Sequence, residues 1–317
     1  MKRITVLLCT HDPRADYLAK TVAGLREQTL GVDDWQLVVV DNNSEPPVDA
    51  GMVAGWHPGG VVLREGRPGK VHAMVTGLAE AEGELIVTVD DDNILDPEYL
   101  ANAVALGEAW PRLAVFSASI RGEFEGPVPG WAETSLSLIA VRELEGDYWG
   151  NQAAAHVFPI GAGMVFRREM GERFVAETRS ARFPEGLCRQ GGNSLAGTED
   201  TLFGYLAIEA GYGCGAFRSL RMRHQIAARR LTIEYMEGIS WALGYAHALL
   251  GRIYEGTPLP VPGRVRELIE MVRLRRRFRG RENAERYRIA RGQWRGRRDA
   301  AVAAAGRGLG NGTKEGR

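Results

Sequence analysis

The sequence predicts an α/β fold in which a mostly parallel sheet is flanked by helices and followed by a C-terminal helical extension. Short, continuous apolar runs alternate with segments of helical periodicity in the first part of the chain, an order typical of an open sheet with helices on both faces. Of the 317 residues, 44% are hydrophobic and 25% are charged. This composition is that of a globular protein and excludes collagen-like, coiled-coil and wholly disordered chains.

The predicted strands are apolar runs rich in Val, Ile and Leu that are too short to be helices. They cover residues 4–10, 36–40, 61–64 and 85–89. Because these runs do not alternate with polar residues, we expect both faces of each strand to be buried, as in a parallel sheet.

Helices are predicted where apolar residues recur at helical spacing. One of them carries a start signal, since Asp96 is suited to an N-cap and Pro97 to the first helical position. The predicted helices cover residues 16–28, 70–82, 97–110, 201–210, 233–254 and 265–279.

Polar loops follow three of the predicted strands. Their sequences are THDPR at residues 10–14, DNNS at 41–44 and DDDN at 90–93. In open parallel sheets, ligands bind at the carboxyl ends of the strands, so these loops predict a ligand site at one edge. Ordinary turn chemistry is an alternative for the first two loops, because Asp, Asn, Ser and Pro favour turns.

The carboxylates of Asp90, Asp91 and Asp92 are adjacent and repel one another unless a cation or water screens them. Mg²⁺ and Mn²⁺ prefer oxygen ligands, so the triplet indicates a metal-bound nucleotide, with a solvated helix cap as the alternative. The chain has neither GxxxxGK[ST] nor GxGxxG at a strand-to-helix turn, which excludes P-loop and dinucleotide-binding sites. Lys70 and Arg67 are candidates to neutralise a diphosphate.

Five segments in order resemble the family 2 glycosyltransferases: CTHDPR, VVVDNNS, GKVHAMVTGLAEAEGELIVTVDDDN, IGAGMVFRRE and GTEDTLFGYLAIEAGYG. The resemblance covers about residues 1–230 and implies a GT-A-type, Rossmann-like sheet for that domain. It also implies an inverting transferase that uses a nucleotide sugar and Mn²⁺ or Mg²⁺. One departure lies after the GK element, where Ala73-Met74-Val75 lacks the polar residue that relatives carry.

The resemblance assigns roles to matched positions. Metal ligands would be Asp92, as first choice, together with Asp90 and His224, although a lone histidine is also a common structural residue. Gly161 and Gly163 would let a sugar approach the backbone, with a bulged strand as the alternative. The positions matched to donor binding are Thr10, His11, Asp41, Asn43, Lys70, Asp90, Asp91, Gly161 and Gly163.

Asp200 matches the catalytic base of the family, and Glu199 beside it would orient the acceptor or the base. Helix capping is the alternative for this acidic pair, which precedes a predicted helix. A single carboxylate base opposite a metal-bound leaving group describes one in-line displacement, which inverts the anomeric centre. No QxxRW motif is present, which favours transfer of a single sugar over processive synthesis. The resemblance implies that Asp41 accepts a hydrogen bond from a uracil-like N–H, and a UDP-sugar is expected rather than a GDP- or dTDP-sugar.

The sequence leaves two alternatives to a glycosyltransferase. A sugar nucleotidyltransferase would share the sheet but needs a glycine-rich loop with an arginine after the first strand, where this chain has His11-Asp12-Pro13-Arg14. A catalytically silent nucleotide-sugar-binding scaffold would bind the donor without transferring it.

Charge is distributed unevenly although the net charge is zero. Residues 264–317 hold 17 basic and 6 acidic side chains, against 23 and 34 in residues 1–263. We expect a basic helical extension at 231–298 and a disordered tail at 299–317. Residues 264–298 suit peripheral contact with anionic lipid, a solvated cap being the alternative, and nucleic acid is not expected. A lipid-linked acceptor hydroxyl in polysaccharide, glycolipid or glycoconjugate synthesis would fit that contact.

The predicted compartment is the cytoplasm, including the inner face of its membrane. The three cysteines form no CxxC pair, and the longest weakly polar stretch falls short of the about 20 apolar residues of a membrane-spanning helix. The oligomeric state has no signal in the sequence.

Overall fold

A computed structural model describes residues 2–154, 156–183 and 199–306. The strands are β1 (Ile4–Thr10), β2 (Trp35–Asp41), β3 (Gly60–Arg64), β4 (Leu85–Asp90), β5 (Asn93–Leu95), β6 (Leu113–Phe124), β7 (Tyr148–Gly150), β8 (Val165–Arg167) and β9 (Gly213–Ile226). The helices are α1 (Ala15–Arg26), α2 (Ala50–Val53), α3 (Lys70–Glu80), α4 (Tyr99–Ala109), α5 (Arg168–Thr178), α6 (Glu199–Glu209), α7 (Ile233–Glu255), α8 (Arg264–Arg277) and α9 (Ala284–Gly306).

The described strands form one sheet in the order β3-β2-β1-β4-β8-β6-β9-β5, with β7 paired to β9. The predicted α/β fold class is confirmed, and β1 to β4 are parallel to one another. Beyond β4 the sheet is mixed, because β8 lies antiparallel between β4 and β6 while β6 and β9 are parallel. The four predicted strands agree with β1 to β4 to within one residue at each end.

Two apolar layers cover the faces of the sheet. Successive residues of β1 point to opposite faces, so Val6 and Leu8 join one layer and Leu7 joins the other. Helices α1 and α4 contribute to the first layer, and α3, α5 and α6 to the second. Burial on both faces explains why β1, β2 and β4 are continuously apolar. The expectation of two buried faces was wrong for β3, which ends the sheet and has an exposed Val61.

Strand register brings the polar loops together. Thr10 at the end of β1 lies opposite Asp41 of β2, and Cys9 lies opposite Asp90 of β4. The antiparallel pairing of β5 with β9 places His224 opposite Asn93, the residue after the aspartate triplet. The sheet therefore holds these residues at one edge.

The predicted start of α4 was two residues too early. The helix begins at Tyr99, its N-cap is Glu98, and the Glu98 side chain forms no capping hydrogen bond. Asp96 participates through its backbone instead, since its carbonyl oxygen accepts a hydrogen bond from the Tyr99 N–H at 2.9 Å. Asp96 and Pro97 thus form the turn that precedes the helix.

The C-terminal helices α7 and α9 pack closely against each other. A Cβ atom at Gly244 would lie 2.3 Å from the Gln293 carbonyl oxygen, and one at Gly296 would lie 2.0 Å from the Trp241 carbonyl oxygen. Glycine at these positions allows the two backbones to approach. The Ser240 hydroxyl also donates a hydrogen bond across the helix pair to the Ile289 carbonyl at 2.9 Å.

Helix α9 extends through Gly306, so residues 299–306 are helical, which corrects the expectation of disorder for that part of the tail. Residues 307–317 of the expected tail lie outside the described residues. Within the described ranges, no helix combines the length and apolar character needed to cross a bilayer.

Candidate active site

The polar loops at the carboxyl edge line a cavity of about 890 Å³, a volume within the range of ligand-binding pockets. Most of the predicted site residues reach this cavity. Those that line it are Thr10, His11, Lys70, Asp90, Asp91, Asp92, Gly161, Glu199, Asp200 and His224. Three others, Asp41, Asn43 and Gly163, are not among the residues that line it.

Asp92 and His224 lie side by side in the cavity. Asp92 Oδ2 lies 3.2 Å from His224 Nε2, while Asp92 Oδ1 accepts a hydrogen bond from the Asn93 amide at 2.8 Å. Arg230, on the 3₁₀ helix Ala228–Leu231, places Nη1 3.1 Å from Asp92 Oδ2 and 3.0 Å from His224 Nε2. Burial alone would raise the pKa of Asp92, but His224 and Arg230 outweigh it and lower that pKa well below its ordinary value.

These atoms meet one requirement of a divalent-cation site. A carboxylate oxygen and an imidazole nitrogen converge on one point that a cationic group, the Arg230 guanidinium, already occupies. No cluster of three or more Asp, Glu, His or Cys ligands is found in the part of the chain that the structure describes. A metal ion held here would therefore complete its coordination with diphosphate oxygens and water.

Asp91, the middle residue of the triplet, has a different partner. Its Oδ2 accepts a hydrogen bond from the Thr10 hydroxyl at 2.5 Å. Burial, with a smaller contribution from the charge of Asp92, raises the pKa of Asp91 to about 7. Asp91 is thus the member of the triplet whose ionisation is costly in the absence of a bound cation.

Lys70 begins α3 and neutralises the third member. Its Nζ lies 2.5 Å from Asp90 Oδ1, and both side chains are partly buried. A lysine at this point lies beside the carboxylates, where it can also meet an incoming diphosphate.

The loop after β2 contributes Asn42 to the cavity, whereas the sequence interpretation had selected its neighbours Asp41 and Asn43. Asp41 is buried, and its carboxylate accepts hydrogen bonds from the Ser44 N–H at 2.9 Å and the Arg64 guanidinium at 3.1 Å. Asn43 adopts a positive φ of 61° in the turn. Asn42 lines the cavity instead, and its side chain accepts a hydrogen bond from the Gly69 N–H at 2.8 Å, which fixes the start of α3.

The two predicted glycines have different surroundings. The Gly161 N–H donates a hydrogen bond to Asp200 Oδ2 at 2.9 Å, so it orients the predicted base. Gly163 has a φ of 67°, and a Cβ there would lie 2.7 Å from the Met222 sulfur. Gly163 is therefore required by backbone conformation and packing rather than by contact with the cavity.

Asp200 lies at the start of α6, and its carboxylate is held by neighbouring groups. Its Oδ1 accepts a hydrogen bond from the Thr201 N–H at 2.6 Å. The Thr201 hydroxyl lies 3.3 Å from Asp200 Oδ1 and 3.3 Å from Nε2 of His247, which α7 supplies. Burial lowers the pKa of His247, so this imidazole is neutral at neutral pH. Thr198, which precedes the acidic pair, lies outside the described residues.

Part of the cavity wall is apolar and includes residues of the helical extension. Arg142 contributes a cation there, with its guanidinium donating to the Ser117 hydroxyl at 2.8 Å and its charge interacting with Asp200. The apolar side chains of this wall are Leu138, Ile139, Ile239 and Leu243.

Residues 5–173 match the sequence pattern described as "Glycosyl transferase family 2". This match spans more than half of the chain. The chain belongs to this family. It is therefore a glycosyltransferase, which transfers a sugar from a nucleotide-sugar donor. The matched region contains Thr10, the aspartate triplet and Gly161, and it ends before Asp200 and His224.

Solved structures of glycosyltransferases share the fold. Residues 1–349 of TarS from S. aureus are 15% identical, with a TM-score of 0.50, covering 96% of this chain and 92% of that one. The mannosyltransferase PcManGT from Pyrobaculum calidifontis, solved in complex with GDP-Man and Mn²⁺, is 20% identical, with a TM-score of 0.50, covering 98% of this chain and 88% of that one. These likenesses confirm the predicted GT-A-type fold. No curated protein matches the chain in sequence.

Besides Asn42, three functional candidates of this glycosyltransferase were absent from the sequence interpretation: Arg142, Arg230 and His247. Each reaches the cavity from an element far along the chain from the triplet. A basic residue after Gln225 was visible in the sequence, but nothing there indicated that Arg230 folds back onto Asp92.

Proposed function

We propose that the enzyme transfers a single sugar from a nucleoside-diphosphate sugar to an acceptor hydroxyl, with inversion and with the help of a divalent metal. The observation that carries this proposal is that the aspartate triplet and the Asp200 carboxylate line the same cavity. Such an arrangement can bind a leaving diphosphate at one end and accept a proton at the other.

On the donor side, Thr10 and Asp91 would bind the nucleoside, and Lys70 would neutralise part of the diphosphate charge. UDP-sugars are the first candidates because Thr10 and Asp41 hold the positions that resemble the nucleoside contacts of the family. A base contact by Asp41 requires its Arg64 partner, which lies 3.1 Å away, to share the carboxylate.

Asp92 and His224 would hold the metal, with Asp90 as a further carboxylate of the triplet. A bound Mn²⁺ or Mg²⁺ would supply charge stabilisation to the departing diphosphate. For the metal to bind, Arg230 must leave the point between Asp92 and His224, and its guanidinium then becomes available to the diphosphate oxygens.

On the acceptor side, Asp200 would take the proton of the acceptor hydroxyl. That oxygen forms the new bond to the anomeric carbon as the bond from this carbon to the diphosphate oxygen breaks. The Gly161 and Thr201 N–H groups hold the Asp200 carboxylate in place. One displacement with one base inverts the anomeric centre, and Glu199 would orient the acceptor.

The chain would divide into two functional parts at about residue 230. Residues 1–230 would form the donor-binding and catalytic domain, and the extension at 231–298 would complete the acceptor side through α7. We propose that the apolar part of the cavity wall, to which α7 contributes, accommodates a lipid-linked acceptor at the cytoplasmic face of a membrane, which suits transfer of one sugar rather than polymer synthesis.

Nucleotide binding tests the donor half of the proposal. UDP, GDP, dTDP, CMP and ADP are titrated into the full chain by calorimetry, with Mn²⁺ and with chelator, and then into Asp92→Ala. We expect one nucleoside diphosphate to bind only with Mn²⁺ and the variant to lose this binding. Failure of all five nucleotides to bind would contradict the proposed donor site.

Asp200→Asn tests the catalytic half, with Glu199→Gln as its neighbour control. With the donor identified above, the rate of sugar release to acceptor or water is expected to fall by about 10²–10⁴-fold in Asp200→Asn, while the nucleotide Kd stays unchanged. The glycosidic product is expected to have the opposite anomeric configuration to the donor by NMR. Donor binding with equal rates in wild type and Asp200→Asn would indicate a different base or a silent scaffold.

A further inference from the structure

Helix α8 presents an apolar face to solvent. None of its residues is buried. Four large apolar side chains at positions i, i+3, i+4 and i+7 share one face and are exposed: Val265 (73%), Leu268 (66%), Ile269 (46%) and Val272 (40%). We refer to these four residues as the α8 stripe. Exposed apolar side chains arranged contiguously on one helix indicate contact with something outside the chain.

Arginines flank the α8 stripe on both sides. At about 100° per residue, Arg264 and Arg275 fall on one flank and Arg266 and Arg273 on the other. The helix contains six arginines and two glutamates. Of these six, Arg273 pairs with Glu270 within the helix, and in the part of the chain that the structure describes the other five have no ion-pair partner.

The opposite face of α8 points toward the protein. Met271 and Leu274 lie on that face and are only partly exposed. Glu267, on the same side, lies 3.8 Å from Arg298 of α9. The acidic residues of α8 are therefore turned inward, and its outward surface is apolar at the centre and cationic at the edges.

Helix α9 is also rich in arginine, and two of its arginines form ion pairs with α7. Arg288 pairs with Glu234 and Glu237 of α7, and Arg291 pairs with Glu237 at 2.6 Å. Buried positions of α9, such as Ile289 and Ala300, face α7 or its neighbours. The broad basic region 264–298 thus divides into an attached helix, α9, and an outward-facing one, α8.

We propose that α8 docks the enzyme on an anionic lipid bilayer, with the α8 stripe inserted at the level of the acyl chains and the flanking arginines among the phosphates. An apolar face between cationic flanks matches a surface that is apolar beneath an anionic layer. A second copy of the chain docked through α8 would bring the same arginines face to face, where their charges repel. A nucleic acid would pair with the arginines but leave the α8 stripe in water. This docking does not depend on the proposed transfer reaction.

Vesicle co-sedimentation of the full chain, without nucleotide or metal, tests the proposal. Vesicles of phosphatidylcholine alone are compared with equimolar phosphatidylcholine and phosphatidylglycerol. We expect binding to the anionic vesicles only, weakened at high salt because the arginine contribution is screened. The double variant Leu268→Ser/Ile269→Ser is expected to bind at least tenfold more weakly, with an unchanged melting temperature because both side chains are exposed.

Val302→Ser is the matched control, because Val302 is an exposed apolar residue (52%) on α9 rather than α8, and it is expected to bind as wild type does. In Leu268→Trp, the tryptophan emission is expected to shift to shorter wavelength when anionic vesicles are added. No binding to anionic vesicles, or binding that the double serine variant retains, would overturn the proposal. So would a stable dimer in analytical ultracentrifugation that the double variant converts to monomer. Because the vesicle experiment contains no sugar donor, none of these results would contradict the proposed transfer reaction.

Discussion

Replacing Asp91 by asparagine is expected to stabilise the donor-free enzyme. The amide oxygen of an asparagine at this position can still accept the hydrogen bond that the Thr10 hydroxyl donates at 2.5 Å. The substitution removes only the ionisable group, whose pKa is raised to about 7 from an ordinary value of 3.8 by burial and by the charge of Asp92. What is lost is therefore the cost of keeping a carboxylate ionised in this position.

The pH dependence follows from proton linkage. Between pH 3.8 and about 7, folded Asp91 holds a proton that the unfolded chain has released, so stability falls as pH rises across this window. At about 1.4 kcal/mol per pKa unit, the upper limit of the cost above pH 7 is about 4 kcal/mol. Asp91 keeps some contact with solvent, so we take half of this value, about 2 kcal/mol, which corresponds to about 4 °C in Tm.

Thermal unfolding of wild type and Asp91→Asn in chelator, from pH 4 to pH 8, measures this effect. The gain in Tm is expected to be near zero at pH 4, about a third of its full size at pH 5, and constant above pH 7. Asp90→Asn is the control, because it removes a pair with Lys70 instead and is expected to lower Tm slightly. An Asp91→Asn protein that melts at or below the wild-type temperature at pH 8, or a gain independent of pH, would refute the reasoning.

Three further substitutions test other contacts. Arg230→Ala frees Asp92, so Mn²⁺ alone is expected to bind about tenfold more tightly by calorimetry, and unchanged or weaker binding would contradict the placement of this guanidinium. Gly296→Ala forces a Cβ to 2.0 Å from a carbonyl oxygen of α7 and is expected to cost about 1–3 kcal/mol in urea unfolding. Gly251→Ala, whose Cβ would meet nothing closer than 3.6 Å, is its control and is expected to be neutral or stabilising. His247→Gln is expected to lower the transfer rate about tenfold without changing the nucleotide Kd, and an unchanged rate would remove His247 from the acceptor side.

The first half of the fold was predictable because its information is local. Strands β1, β2 and β4 are buried apolar runs, and β3 at the end of the sheet is an apolar run that is only partly buried; the ends of all four are visible in the sequence. The same locality explains the loops, since parallel strands place their carboxyl ends at one edge. The exact start of α4 was not predictable, because the choice between Asp96 and Glu98 as cap depends on a backbone turn rather than on residue type.

The second half of the sheet and the acceptor side depend on contacts between distant residues. Strand β9 alternates between buried and exposed positions in its second part, and its pairing with β5 and β6 joins segments about a hundred residues apart. His224 was proposed from family resemblance alone, whereas its position beside Asp92 follows from that pairing. Arg142 and His247 reach the cavity through tertiary packing, for which a single sequence gives no signal.

The positively charged side chains of the protein have different functions in different parts of the fold. Lys70 and Arg230 neutralise the aspartate triplet within the cavity, where partial burial protects the pairs from salt. Two arginines of α9, Arg288 and Arg291, pair with glutamates of α7, and the arginines of α8 are exposed. Because the α8 arginines are the ones most open to solvent ions, raising the ionic strength should weaken lipid docking while leaving nucleotide binding and the attachment of α9 largely intact. A salt titration that followed vesicle binding, nucleotide binding and Tm in parallel would separate these three uses of positive charge.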